Sequence, residues 1–114
     1  MSCRKLEEIA GILDGLAHPI RLRIVALLWK FGDMYLAEIA ERLGISRALA
    51  KVHLKKLESS GIVESKVVLE EGKAVARRYY RLKWKSTLII SPEIISSIVE
   101  SCGDDHGGDR ESKV

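Results

Sequence analysis

The stretch Leu36–Glu64, LAEIAERLGISRALAKVHLKKLESSGIVE, leaves the chain few folds to choose from. Leu36, Ile39, Ala40 and Leu43 recur at helical spacing and give a first short helix, Leu36–Leu43, one apolar face. Gly44 follows where helices commonly end in a left-handed residue, a backbone state open to glycine because it has no Cβ. Ile45 can plug the crevice between two helices. Ser46 suits the N-cap of a second helix, its hydroxyl accepting a backbone N–H of the first turn. That helix is predicted to run to about Ser60, with Gly61 as its stop. Helix, glycine turn and helix are together the outline of a helix-turn-helix.

The second helix reads differently on its two faces. At about 100° per residue, Ala50, Leu54 and Leu57 fall together with Leu49 and His53 on their flank, which marks the packed side. The opposite side carries Arg47, Ala48, Lys51, Val52 and Lys55, with Lys56 at its edge. A side with bases, small apolar groups and almost no acid suits a DNA major groove. Lys and Arg reach phosphates or guanine edges, and Ala48 and Val52 suit thymine methyl groups. The alternative is a solvated lysine-bearing face of the kind many surface helices have.

A length of 114 residues is room for one small domain with a modest core and an incentive to associate. Net charge is only +3, but it is unevenly spread. From Glu100 onward five acids outweigh two bases, a balance of −3, which leaves +6 on residues 1–99. A basic body with an acidic tail fits a nucleic-acid surface. The longest apolar run, Ile24–Trp29, is far too short to span a membrane, and Arg4, Lys5, Glu7 and Glu8 interrupt any apolar signal core. The chain is expected to be cytoplasmic. Gly103–Val114, rich in Gly, Asp and Ser, is expected to be a flexible acidic tail beyond a domain covering residues 1–102.

Ahead of the helix-turn-helix, about Cys3–Ala17 forms an amphipathic helix with Leu6, Ile9, Ala10, Leu13 and Leu16 on one stripe. Gly11 and Gly15 weaken it and permit a close helix approach. His18-Pro19 breaks it, because the residue before proline is pushed out of the α region. Pro19 then suits the first turn of a helix over Ile20–Lys30. Asp33–Tyr35 is either a short strand or a lead into the next helix. After Gly61 the period becomes two, predicting a strand over Val63–Leu69, a turn at Glu70-Glu71-Gly72-Lys73 and a returning strand over Ala74–Leu82. A hairpin directly after a helix-turn-helix is a wing. Its Lys73, Arg77 and Arg78 are candidates for phosphates beside the groove, or are the charges of an ordinary edge strand.

Lys83–Ile90 reads as continued strand or extended connector. Ser91-Pro92-Glu93 starts a helix, Pro92–Cys102, whose apolar side holds Ile94, Ile95, Ile98 and Val99. The helices at the two chain ends leave apolar stripes (Leu6, Ile9 and Leu13; Ile94, Ile95, Ile98 and Val99) that suit a homodimer interface. A two-fold dimer sets recognition helices about 34–36 Å apart, one DNA turn. The fold class expected is therefore mainly α with a β-hairpin wing (α+β), a winged helix-turn-helix dimerising through its N- and C-terminal helices.

With those pieces in place, the chain resembles the ArsR-type winged-helix transcription regulators over roughly Leu13–Leu82. The resemblance is carried by LAHPIRLRIVALL (Leu16–Leu28), LAEIAERLGIS (Leu36–Ser46), VHLKKLESSGIV (Val52–Val63) and RRYYRL (Arg77–Leu82). It implies a dimeric, operator-binding transcription factor, usually a repressor, with the helix Arg47–Ser60 in the major groove. The family commonly has Ser and Arg before the HL pair, where this chain has Lys51 and Val52, so its DNA preference need not follow the family's. Metal-sensing relatives place Cys-x-Cys and an acid on the first helix of the motif. The matching positions here are Tyr35, Ala37 and Glu38, and the soft ligands are gone. The C-terminal helix holds no His for the family's other metal site. Cys102, Asp104, Asp105 and His106 remain as weak candidates, so no metal and no cofactor is expected.

Cys3 and Cys102 lie near the outer ends of the two terminal helices, where a redox-sensitive link is conceivable; unreacted thiols are the favoured reading. His18 is expected to position a helix junction and His53 to hydrogen-bond within or beside the motif, or to a phosphate. Neither has a carboxylate or nucleophile at a spacing that suits catalysis, so no enzyme is expected. The function expected is a sequence-specific regulator binding double-stranded DNA as a homodimer, with an effector the sequence does not name. Ser46, Arg47, Ala48, Lys51, Val52, Lys55, Lys56, Lys73, Arg77 and Arg78 are the candidate DNA contacts. The alternative is an architectural chromatin protein with little sequence preference; a protein-interaction module would need an apolar patch where the chain is basic.

Overall fold

The computed structural model describes residues 3–69, 71–72 and 75–102. In chain order the elements are α1 (Arg4–Leu16), α2 (Pro19–Phe31), β1 (Met34–Tyr35), α3 (Leu36–Leu43), α4 (Arg47–Ser59), β2 (Val63–Leu69), β3 (Ala76–Leu82) and α5 (Pro92–Ser101). The described residues fall into two compact units, one within residues 12–85 and one made from the chain ends, 3–11 and 86–102.

Local chemistry sets the element ends in residues 12–85. His18 is extended, as the residue before proline must be, and its Nδ1 accepts from the Ile20 N–H at 3.0 Å to cap α2. Gly44 takes φ +67° and its N–H returns to Ala40 and Glu41 carbonyls, closing α3. Ser46 accepts from the Leu49 N–H at 3.0 Å and opens α4. At the far end Gly61, φ +77°, donates to the Glu58 carbonyl and Ile62 donates to that of Leu57, so the chain leaves α4 directly into β2.

The short strand left open by the sequence is present. The sheet runs β1-β3-β2, antiparallel throughout, with Tyr35 opposite Tyr79 and Val63 through Leu69 opposite Leu82 through Ala76. Of the expected turn, Glu71 and Gly72 are described, and Gly72 takes φ +76°. Lys73 and Ala74 lie outside the described residues. Residues 83–90 are an extended connector, held at its start by Lys83 and Trp84 N–H groups donating to the Ile62 carbonyl at 2.9 and 3.1 Å.

The core of this unit joins Ile24 and Leu28 of α2, Met34 of β1, Ile39, Leu54 and Leu57 of the helix-turn-helix, Ile62 just before β2, and Val63 and Tyr80 of the hairpin. Every layer of the winged helix thus reaches one cluster, and α4 cannot shift without disturbing the sheet. Of the two α1 glycines, Gly15 is the close approach: a Cβ there would stand 2.6 Å from Ser60 Cβ and Ile62 Cδ1, whereas Gly11 faces nothing within 4 Å.

In the chain-end unit, Ser91 caps α5 by accepting from the Ile94 N–H at 3.1 Å. Leu6, Ile9, Ile94 and Ile98 are half-buried, and Ile95 and Val99 are exposed by 42% and 49%. Leu13, on the part of α1 that belongs to the other unit, is 43% exposed. The unreacted thiols favoured by the sequence are not found. Cys3 and Cys102 form a disulfide within the chain, their Cα atoms 5.8 Å apart, well inside the span such a bond accepts. The reason is geometric: Cys3 immediately precedes α1 and Cys102 immediately follows α5, and the fold brings these two ends together. The expected tail, 103–114, lies outside the described residues, and no helix among the described residues is long and apolar enough to cross a membrane.

Candidate nucleic-acid interface

The two faces of α4 separate as the periodicity predicts. Ala50, Leu54 and Leu57 are fully buried, and Arg47, Ala48, Lys51, Val52 and Lys55 are exposed, Val52 by 63%. Leu49, placed on the packed flank by its spacing, is instead 39% exposed at the helix start. Lys51 and Arg47 look into an open groove of about 390 Å³ whose other walls are Tyr35, Leu36 and Ala37 at the start of α3 and Arg77, Arg78 and Tyr80 of β3. Four of the eight lining side chains are basic and none is acidic. The recognition helix and the wing therefore meet at one positively charged cleft.

The candidate bases are not equivalent. Arg78 donates from Nη1 to Ser65 Oγ at 2.9 Å, and Ser65 in turn donates to Glu58 Oε2 at 2.6 Å, which ties the wing to α4. Arg77 stacks its guanidinium over the Tyr35 ring, 4.4 Å from its centre. Lys56 differs most from expectation. It turns away from the basic side and pairs with Asp14 of α1 at 2.5 Å, with both side chains well exposed. That hydrogen bond, and then the lysine's charge, hold the Asp14 carboxyl below its ordinary value. Lys73 lies outside the described residues, and Ser46 uses its hydroxyl oxygen as the α4 cap.

Behind the groove a polar cluster anchors α4. Arg21 donates from Nε to the Gly15 carbonyl at 2.7 Å and from Nη1 to Nδ1 of His53 at 3.0 Å, so that nitrogen is the acceptor. The His18 ring lies 4.4 Å from the His53 ring. Burial first, and then the charges of His18 and Arg21, lower the His53 pKa and favour the neutral ring. His53, 6% exposed, is thus a structural link to α1 and α2 and not a phosphate ligand. Across the core, burial and the Glu58 carboxylate raise the Tyr80 pKa against the opposing pull of Arg78.

Sequence reasoning missed Arg21, Tyr35 and Tyr79. Arg21 sits in a run that reads as an ordinary helix start, and its partner His53 is 32 positions away. Tyr35 and Tyr79 meet only because β1 pairs with β3. Among the described residues no cluster of three or more His, Cys, Asp or Glu side chains could hold a metal ion. Of the weak metal candidates, Cys102 is taken by the disulfide, and Asp104, Asp105 and His106 lie outside the described residues.

A helix-turn-helix domain family model matches residues 16–66. The chain is 35% identical over 97 residues to an uncharacterized HTH-type transcriptional regulator of Methanocaldococcus jannaschii, an alignment covering 85% of this chain and 98% of that protein. It is 30% identical over 79 residues to the biofilm growth-associated repressor of Xylella fastidiosa, covering 69% of this chain and 63% of the repressor. Among solved structures, it is similar to the solution structure of a homodimeric winged helix-turn-helix DNA-binding domain from Mycobacterium bovis, a possible ArsR-family transcriptional regulator. That match has a TM-score of 0.59 and 28% identity over 89% of this chain and 83% of the other. The crystal structure of the transcriptional repressor PagR of Bacillus anthracis shares the fold at a TM-score of 0.59 and 22% identity, covering 88% of this chain and 99% of that one.

Proposed function

The chain belongs to the ArsR-type winged helix-turn-helix transcription regulators, and from that premise we propose that it represses transcription by binding a pseudo-palindromic operator as a homodimer. The observation that carries this reading is the clean division of α4. Its buried side is locked into the core, and its basic side is exposed and opens onto the groove shared with the wing. Arg47, Ala48, Lys51 and Val52 read base edges from the major groove, with Ser46 at the rim. Lys55, Lys73, Arg77 and Arg78 take backbone phosphates, which fix register without carrying sequence information. Lys56 instead braces α4 against α1.

Residues 1–102 act together as the DNA-binding and dimerising domain, with 103–114 as a tail. The exposed Ile95 and Val99, beside the half-buried stripes of Leu6, Ile9, Ile94 and Ile98, are the surfaces on which a second copy would seat, and Leu13 of α1, itself 43% exposed, is a further candidate for that contact. Such a dimer sets two α4 helices in successive turns of the groove. The M. bovis domain is homodimeric, which supports dimerisation here. Selection of bound duplexes from a random library, followed by footprinting, tests the proposal. A two-fold symmetric consensus protected as a discrete site supports it. Equal affinity for all duplexes, with no footprint, would place the protein among architectural DNA-coating proteins and defeat the operator reading.

A further inference from the structure

Tyr35 occupies the point where β1 hands over to α3. Its backbone N–H is held by Glu38 Oε1 at 3.1 Å, and its cross-strand partner is Tyr79 of β3. The two rings meet edge to face, 5.7 Å between centres and 74° between planes. Arg77 precedes Tyr79 by two positions, so both side chains leave the same face of β3. From there the Arg77 guanidinium lies over the Tyr35 ring at 4.4 Å. Tyr79 therefore packs against the ring, and the ring supports one face of the guanidinium. Tyr35 is not in the core cluster, yet together with Arg77 it lines the groove that Arg47, Lys51 and Arg78 also enter.

We infer that Tyr35 is a positioning residue for DNA binding, whose ring holds Arg77 in the groove so that the guanidinium meets a backbone phosphate beside the recognition helix. The inference rests on the DNA-binding reading above and assigns one side chain within it. Stacking engages the flat face of a guanidinium, whereas its N–H donors lie in the plane and at the edge. An aromatic shelf is thus a way to hold an arginine still without using up the geometry with which it grips a phosphate. A long side chain ordered before binding loses less rotamer freedom when it binds. Lysine lacks the flat face and does not substitute for arginine here. The phenolic oxygen plays no part in the stack, so phenylalanine does the same work.

The test uses the full chain and a labelled mixed-sequence duplex, with affinity measured by fluorescence anisotropy across a salt series. Tyr35→Phe is expected to bind within twofold of the parent. Tyr35→Leu is expected to lose roughly two- to fivefold, the range of one exposed cation–π contact. Arg77→Ala is expected to lose at least as much and to lower the salt slope by about 0.9, the signature of one phosphate. The double variant should be no weaker than Arg77→Ala, because the ring acts only through the arginine. Arg77→Lys keeps the charge at this half-buried strand position and serves even if Tyr35→Leu fails to fold; it too should lose at least twofold. Losses that multiply in the double variant, full affinity in Arg77→Lys, or Tyr35→Phe as weak as Tyr35→Leu would each overturn the positioning role. If Lys51→Ala weakens binding while Arg77→Ala does not, this inference falls and the DNA-binding reading stands. A parent protein that binds no duplex at about 50 mM salt brings down both.

Discussion

Adding one carbon to Gly15 tests how tightly α1 is keyed to the end of the recognition helix. In Gly15→Ala the new Cβ would lie 2.6 Å from Ile62 Cδ1, 2.6 Å from Ser60 Cβ and 2.7 Å from Ser60 Oγ. Contacts that short do not persist, so something must move. Ser60 Cβ is carried rigidly on the backbone that leaves α4, and Ile62 is fully buried, so neither yields as a flexible surface side chain would. Backing α1 away also lengthens the 2.7 Å hydrogen bond from Arg21 to the Gly15 carbonyl. Overpacking of this kind costs about 1–3 kcal/mol. Against it stands the helix preference of alanine over glycine, at most about 1 kcal/mol and smaller in the last turn, where Gly15 sits. The net expectation is a loss of about 1–2 kcal/mol. Gly11→Ala, in the same helix with nothing within 4 Å, has only the favourable term and should gain up to about 1 kcal/mol. Urea denaturation of the two variants beside the parent reads both signs. If Gly15→Ala is as stable as the parent, or both glycines respond alike, α1 does not approach Ser60 and Ile62 as described and the reasoning fails.

The remaining expectations concern the recognition helix, acid and the disulfide. Lys51→Ala should cost about 1–3 kcal/mol on the selected operator and relax preference at one base pair, while Lys55→Ala should weaken every duplex alike and flatten the salt slope; binding-site selection on each variant separates the two. Because burial depresses the His53 pKa, the unfolded chain takes up a proton that the folded chain resists. That stabilising contribution is whole above the ordinary histidine value of 6.5 and is lost as pH falls through it toward the lower folded value. Urea midpoints should therefore drop between neutral and mildly acidic pH in the parent and drop less in His53→Asn, whose amide oxygen can still accept from Arg21; identical pH profiles would count against the cluster. Reducing the Cys3–Cys102 disulfide, which spans 99 positions, frees the loop it closes, and the chain-entropy estimate for a loop of that size is about 4.7 kcal/mol. Equal urea midpoints with and without reductant, in protein whose gel mobility shows the bond intact beforehand, would remove that constraint from the account.

How far the fold could be read in advance follows from the range of each interaction. Gly44, Ser46, Gly61 and Ser91-Pro92 act on backbone groups within a few positions, and the structure places helix ends beside each of them. The apolar period of α4 likewise tells which side is buried, because burial is a property of a whole face. It does not tell which exposed base already has a partner. Arg47 through Lys55 and Lys56 look alike in sequence, yet Lys56 is claimed by Asp14, 42 positions earlier. The same holds for Arg21 with His53 and for Cys3 with Cys102, pairs that are set by where helices cross and that leave no local pattern. The stack of Arg77 on Tyr35 needs even more, since it exists only after a two-residue strand has paired with the far side of the wing. A positive face can therefore be located from periodicity alone, but the division of its charges between gripping DNA and bracing the fold is decided by long-range geometry. The neighbouring lysines Lys55 and Lys56 show how fine that geometry is: Lys55 is exposed, and Lys56 closes a contact to α1.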